Sequence, residues 1–177
     1  GGPVVVLGHS TGGAIAQELA LCRPDLVRAL VLLDSGPNMH EHGDVGAIID
    51  RIRTSWGPEL FEAVLGRSFG SGTARDEWEP FLAYCDGVEA AAAEGVLESQ
   101  RSTDFAPRLT GIACPTLVVH GTEDRRRTVA QAAAFAGRFP GARFHVLECG
   151  HSPMFEQPDA VASLVRELLA EGDDAFR

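Results

Sequence analysis

The sequence predicts an α/β fold: a mostly parallel sheet flanked by helices, with an inserted helical block. Three observations carry that prediction. Apolar runs such as Val4-Val5-Val6-Leu7 are continuous, not alternating, which is the pattern of strands covered on both faces of a parallel sheet. These runs alternate with helix-patterned segments in residues 1–37 and again in residues 108–177. Between them, residues 38–107 carry helical periodicity and no strand-like run. The predicted organisation is a core of residues 1–37 and 108–177 with 38–107 as an insertion.

In chain order, Val4 to Leu7 is the first strand and Ala14 to Cys22 the first helix, stopped by Pro24, which lacks the amide a helix interior needs. Val27 to Leu33 is a second strand, ended by the turn-forming cluster Asp34-Ser35-Gly36-Pro37. Strand, helix and strand at this spacing form a βαβ unit with a right-handed crossover. In the insertion, Val45 to Trp56, Pro58 to Leu65 and Glu77 to Leu97 read as helices, and Gly66 to Thr73 as a mobile loop. Its aromatics Trp56, Phe61, Phe69, Trp78, Phe81 and Tyr84 supply either a small core of the block or, for one or two of them, a pocket wall. The alternation then resumes: strand Pro115 to His120, loop Gly121-Thr122-Glu123-Asp124, helix Val129 to Phe139, strand Arg143 to Leu147, loop Glu148 to Pro153, and helix Pro158 to Ala170 with a proline suited to its first turn.

Composition narrows the class. The 177 residues fit one domain with an insertion, and 45% apolar against 23% charged residues describe a globular chain. Fifteen Lys plus Arg against twenty-five Asp plus Glu give a formal charge of -10, which argues against nucleic acid or an anionic membrane surface as partner. Cys22, Cys85, Cys114 and Cys149 lack C-x-x-C spacing, so free thiols in a reducing, cytoplasmic setting are expected, without zinc or a disulfide framework. No spanning segment or signal peptide is evident. The chain opens on Gly1-Gly2-Pro3 without an initiating methionine, so a piece of a longer protein is expected.

Gly8-His9-Ser10-Thr11-Gly12 lies between the first strand and the first helix. A G-x-S-x-G turn in that context holds its serine in strained geometry and presents the hydroxyl, while flanking glycines let strand and helix pass closely. The Thr11 amide lies at a helix N-terminus, where a developing oxyanion is favoured. Ser10, Asp124 and His151 fall on three loops at the carboxyl ends of parallel strands, the edge where ligands collect in such sheets. His40 and His42 are expected to face solvent, and without a third ligand they do not make a metal site. His120 and His145 read as structural. Arg125-Arg126-Arg127 reads as a solvated basic run, or as a partner of Asp124 or of an acidic substrate.

With these residues in view, the chain resembles the carboxyl-terminal two-thirds of an α/β-hydrolase-fold enzyme. Gly8 to Gly12 is similar to that family's nucleophile elbow, Pro115 to Asp124 to its acid-bearing strand and loop, and Gly150-His151-Ser152-Pro153 with Glu156-Gln157-Pro158 to its histidine loop. The chain order Ser, Asp, His is that of the family's triad. The resemblance implies a serine hydrolase acting without a cofactor on a small-molecule acyl substrate, with Ser10 as nucleophile, His151 as base, Asp124 as its orienting acid and Thr11 in the oxyanion hole. It implies that 38–107 is a cap over the site and that His9 helps shape the pocket floor. The cap's own residues do not transfer one by one, so Trp78 is a candidate pocket residue from the aromatics of the block. Met154 and Phe155, just past the histidine, read as packing residues that could border the pocket. Asp34 is a rival acid, since some members use that earlier position, although it also reads as a turn residue. Carbon–carbon hydrolase, cofactor-free haloperoxidase-like and catalytically weak remnant readings stay open. The resemblance also implies earlier strands and a second oxyanion donor, whose loss costs on the order of 10²- to 10³-fold in rate.

Overall fold

A computed structural model describes residues 2–175 except 41 and 44, with side chains described as far as residue 171. Four parallel strands form one sheet in the order β1 (Val4–His9), β2 (Val27–Leu33), β3 (Thr116–Gly121) and β4 (Arg143–Leu147). All three pairings are parallel, with Leu7 opposite Val31, Val31 opposite Leu117, and Val119 opposite His145. Adjacent residues on a strand point to opposite faces, so the continuous apolar runs feed two cores at once. Leu30, Leu32 and Val118 pack beneath α1 (Thr11–Cys22) and α7 (Val129–Ala136), joined by Phe135, Phe139 and Leu109. On the other face, Val31, Leu33, Leu117 and Val119 pack against Val161 and Leu168 of α9 (Pro158–Ala175), which follows the short α8 (Pro153–Glu156).

β2 and β3, in the centre, are almost wholly buried, whereas β1 at one margin of the described sheet leaves Val4 and Leu7 exposed. α7 opens on a capping box in which Thr128 accepts from the Gln131 amide and the Gln131 side chain returns to the Thr128 amide.

The inserted segment contains α2 (Val45–Ser55), α3 (Pro58–Leu65), α4 (Arg75–Trp78), α5 (Pro80–Cys85) and α6 (Ala90–Arg101). Helix α2 buries Val45, Ile49 and Ile52 at helical spacing, and its Arg53 reaches Glu94 and Glu98 of α6. The continuous helix expected over Glu77 to Leu97 is instead three pieces. Pro80 has no amide to donate back into α4, and the chain turns again where the Gly87 amide bonds the Tyr84 carbonyl. The expected mobile loop Gly66 to Thr73 is anchored: Ser68, Phe69 and Gly70 are buried, and Phe69 lies 5.5 Å from the Phe155 ring of α8. No described helix is long and apolar enough to cross a membrane.

Truncating Leu32, fully buried beneath α1, to alanine is expected to cost about 3 kcal/mol, within the usual range of roughly 2–5 kcal/mol for core leucines. Ile15→Ala, at a side chain 68% exposed on α1, is expected to change stability by under about 0.5 kcal/mol. Urea unfolding of the two variants checks the contrast.

Candidate active site

Strand β1 ends and α1 begins on either side of Ser10, which is held at φ 50° and ψ -118°. A non-glycine residue at positive φ costs on the order of 1–3 kcal/mol and persists only where its surroundings fix it. Here they do. The Ser10 amide donates to the Leu33 carbonyl at 3.0 Å, and the Ser10 carbonyl accepts from the Gly13 amide at 2.9 Å and the Ser35 hydroxyl at 3.0 Å. The close passage of strand and helix leaves no room for side chains: a Cβ on Gly8 would sit 2.5 Å from the Gly12 carbonyl oxygen, and one on Gly13 would sit 2.1 Å from Ser35 Oγ. Thr11 is the first residue of α1, so its amide has no acceptor within the helix. Its hydroxyl donates to Gln100 of α6 at 3.2 Å.

His151, only 4% exposed, joins the loops at the ends of β3 and β4 to this turn. Its Nε2 lies 2.9 Å from Ser10 Oγ, and its Nδ1 lies 2.9 Å from Asp124 Oδ2. Asp124 is ionised: burial works against its charge, but the His151 hydrogen bond and charge and the Arg126 amide outweigh it and bring its pKa to about 2. An ionised carboxylate only accepts, so Nδ1–H donates to it and Nε2 is left to accept the Ser10 proton. Ser10, His151 and Asp124 therefore form one hydrogen-bonded relay.

His9, Arg126, Asp34 and His120 surround this relay. His9 Nε2 donates to the His151 carbonyl at 2.6 Å, with the two rings 4.9 Å apart. Burial, and then the charge of His151, push the His9 pKa down to about 4, so the ring is a neutral brace at pH 7. The Arg126 amide donates to Asp124 Oδ1 at 2.8 Å. Asp34, also at positive φ, is 2% exposed. It accepts from the Gly121 amide at 3.0 Å and makes an ion-pair contact of 2.8 Å with His120 Nδ1. His120 Nε2 donates to the Arg127 carbonyl at 3.1 Å, and Asp124 Oδ2 is 3.9 Å from Nδ1. Although burial opposes a charge on His120, the hydrogen bond and charge of Asp34, with the charge of Asp124, raise its pKa. Asp34, His120 and Asp124 are also the group with metal-ligand chemistry among the described residues, within 4.8 Å of one another. Asp34 Oδ1, His120 and Asp124 have the partners just named, while Asp34 Oδ2 is buried without a hydrogen-bond partner among the described residues.

Beside the relay a cavity of about 1450 Å³ runs between α1 and the inserted helices, reaching Ser10 and Thr11 and lined by Ile48, Ile52, Trp56 and Phe61. The candidate pocket residues lie elsewhere. Trp78 is buried and stacked on Phe69 at 6.0 Å, Phe155 meets Phe69 and Phe81 edge-on, Met154 is 38% exposed, and His9 lies against His151. His42, expected in solvent, lines the cavity, and burial pushes its pKa down to about 4. The basic run divides: Arg125 is exposed, Arg126 reaches back to α3 and the loop after it, and Arg127 is 6% exposed, bonding the Asn38 carbonyl and packing on Gly36. Cys149 beside this site is buried, and desolvation raises its thiol to about 12, which leaves it protonated.

A sequence profile described as the alpha/beta hydrolase family matches residues 1–164. The chain belongs to the α/β-hydrolase family. It is 31% identical to a 2-hydroxymuconate semialdehyde hydrolase of Pseudomonas putida over 189 residues, covering 95% of this chain and 63% of that relative. It is 28% identical to a pimeloyl-[acyl-carrier protein] methyl ester esterase of Aeromonas salmonicida, covering 93% and 69%. Among solved structures, a hydrolase from Pseudomonas aeruginosa superposes with a TM-score of 0.84 at 27% identity over 92% of this chain and 63% of that one. An enol-lactonase from Burkholderia xenovorans does so at 0.79 and 27%, covering 93% and 64%. The chain thus spans between 63% and 69% of the length of these relatives. The four parallel strands and their flanking helices are a partial α/β-hydrolase fold.

The lowered His9 pKa sets an acid sensitivity. His9 ordinarily titrates near 6.5 but near 4 when folded, so its stabilising effect is complete above 6.5 and falls as pH drops toward 4. One such proton corresponds to roughly 1.4 kcal/mol per pH unit. His9→Gln is expected to flatten the loss of unfolding free energy between pH 6.5 and 4.5 by up to that slope. Parallel slopes in urea titrations of the two proteins would contradict the assignment.

Proposed function

We propose that this chain carries the catalytic machinery of a serine hydrolase that cleaves a carboxylic ester or related acyl bond. The observation that carries the reading is the continuous relay from Ser10 Oγ through the His151 ring to Asp124, at 2.9 Å on each side. In this reading Ser10 Oγ attacks the acyl carbon as its proton passes to His151 Nε2, and the carbonyl electron pair moves onto oxygen to give a tetrahedral oxyanion facing the Thr11 amide. Collapse of that intermediate expels the alcohol, which takes the proton back from Nε2. An acyl-Ser10 ester remains. Water then gives its proton to Nε2 and its oxygen to the acyl carbon, and a second collapse releases the acid and restores Ser10. Asp124 stays ionised throughout and stabilises the transient imidazolium.

The inserted helices act as a cap in this reading. The apolar walls of the cavity between them and α1 suit a small-molecule substrate with an apolar acyl or alcohol group larger than acetyl. No cofactor is called for by these steps. The four unpaired cysteines support a reducing, cytoplasmic setting.

A fluorophosphonate probe tests the reading directly, since it is attacked by an activated serine and not by an ordinary one. Labelling of the folded chain is expected and should vanish in Ser10→Ala. Asp124→Asn should lower both labelling rate and ester turnover by roughly 10²- to 10⁴-fold, because the neutral amide no longer fixes the His151 tautomer. A folded chain that is not labelled, or is labelled equally after Ser10→Ala, defeats the reading.

A further inference from the structure

The loop after α3, Gly66 to Thr73, carries the polar ties between the inserted helices and the two loops that bring Asp124 and His151 to Ser10. Glu156, at the end of α8, uses both carboxylate oxygens. Oε2 accepts from the Gly70 amide at 2.7 Å and the Thr73 hydroxyl at 3.0 Å, while Oε1 accepts from the Gly150 amide at 2.9 Å and the Ser152 amide at 3.3 Å. Gly150 and Ser152 are the residues on either side of His151. One carboxylate therefore grips the backbone before and after the histidine with one oxygen and the inserted loop with the other.

Independent contacts tie the same loop to the neighbourhood of Asp124. Glu123 accepts from the Ser71 amide at 2.8 Å, and Arg126 donates to the Arg67 carbonyl at 3.2 Å and the Ser68 hydroxyl at 2.9 Å. The backbones of the inserted loop and the histidine loop touch, since a Cβ on Gly150 would lie 2.3 Å from the Gly70 nitrogen. The aromatic contact of Phe69 with Phe155 closes the joint from the apolar side. A joint of this kind has no slack: four donors converge on one carboxylate, which has about four lone-pair sites.

We propose that Glu156 is a positioning residue for His151, and that its carboxylate makes the alignment of His151 with Ser10 depend on the docked Gly70–Thr73 loop. The inserted helices and the histidine loop then behave as one unit, so displacing the loop withdraws the base from the nucleophile. Misplacing a reacting group by about 1 Å costs on the order of 10²-fold in rate. The proposal rests on the reading of Ser10, His151 and Asp124 as a catalytic triad.

Glu156→Gln is isosteric but turns an NH2 group toward one pair of donors, so half of the joint is lost without opening a cavity. Glu156→Asp keeps both oxygens one methylene short. The measurements are the second-order rate of fluorophosphonate modification of Ser10, kcat and KM for p-nitrophenyl butyrate, thermal melting, and amide hydrogen exchange at Gly70 and Gly150. For Glu156→Gln that remains folded, the modification rate and kcat are expected to fall about 10- to 100-fold, in line with the cost of misplacement, with KM changed less than about threefold. Glu156→Asp should recover part of that loss, and the Gly70 and Gly150 amides should exchange faster together. Modification and kcat at wild-type values in a folded Glu156→Gln protein, or unchanged exchange at both glycines, overturn the positioning role while leaving the hydrolase reading intact. A wild-type chain that the probe does not modify overturns the hydrolase reading itself, and the proposal with it.

Discussion

Everything at the candidate site depends on the backbone of Ser10 being held at positive φ. That conformation is unfavourable for a serine, and it persists because the turn is fixed from three sides. The Leu33 carbonyl of β2 holds the amide, the Gly13 amide and Ser35 hydroxyl hold the carbonyl, and Gly8 and Gly13 allow the strand and helix to pass at contact distance. The buried central strand is thus a condition for the geometry of the nucleophile candidate.

Charge placement beneath the relay accounts for which carboxylate meets His151. Asp34 and Asp124 both follow buried strands and lie close together. Asp34 is held by His120 and the Gly121 amide, whereas Asp124 presents one oxygen to His151 and the other to the Arg126 amide. Two buried carboxylates this near would repel each other strongly. The His120 imidazole, whose pKa those carboxylates raise, lies beside both and offsets that repulsion.

The strands were legible in the sequence because burial on both faces demands unbroken apolar runs, and Val27 to Leu33 and Thr116 to Val119 have no other use for them. The turn at Ser10 was legible as well from its G-x-S-x-G spacing between strand and helix, although the structure puts the close approach at Gly8 and Gly13 and leaves open space beside Gly12. The inserted helices were less so. Helical periodicity runs across Pro80 and Gly87, where the missing proline amide and the turn at Gly87 break the helix into three. Trp78 and Phe155 read either as packing residues or as pocket wall, and the structure places both in an aromatic cluster bridging the inserted segment and α8.

By itself the sequence determined the α/β class, the order of strands and helices, and the three loops on which Ser10, Asp124 and His151 stand. These follow from local propensity, periodicity and turn chemistry. Only the tertiary structure decided that Asp124, not Asp34, bonds His151, that Arg127 is buried while Arg125 is exposed, and that the glycine-rich loop Gly66 to Thr73 is tied down by Glu156 and Glu123. Each of these depends on which side chain arrives from a distant part of the chain to meet a charge or an unpaired amide. The identity of that partner is set by packing across the sheet edge, where sequence separation carries no information.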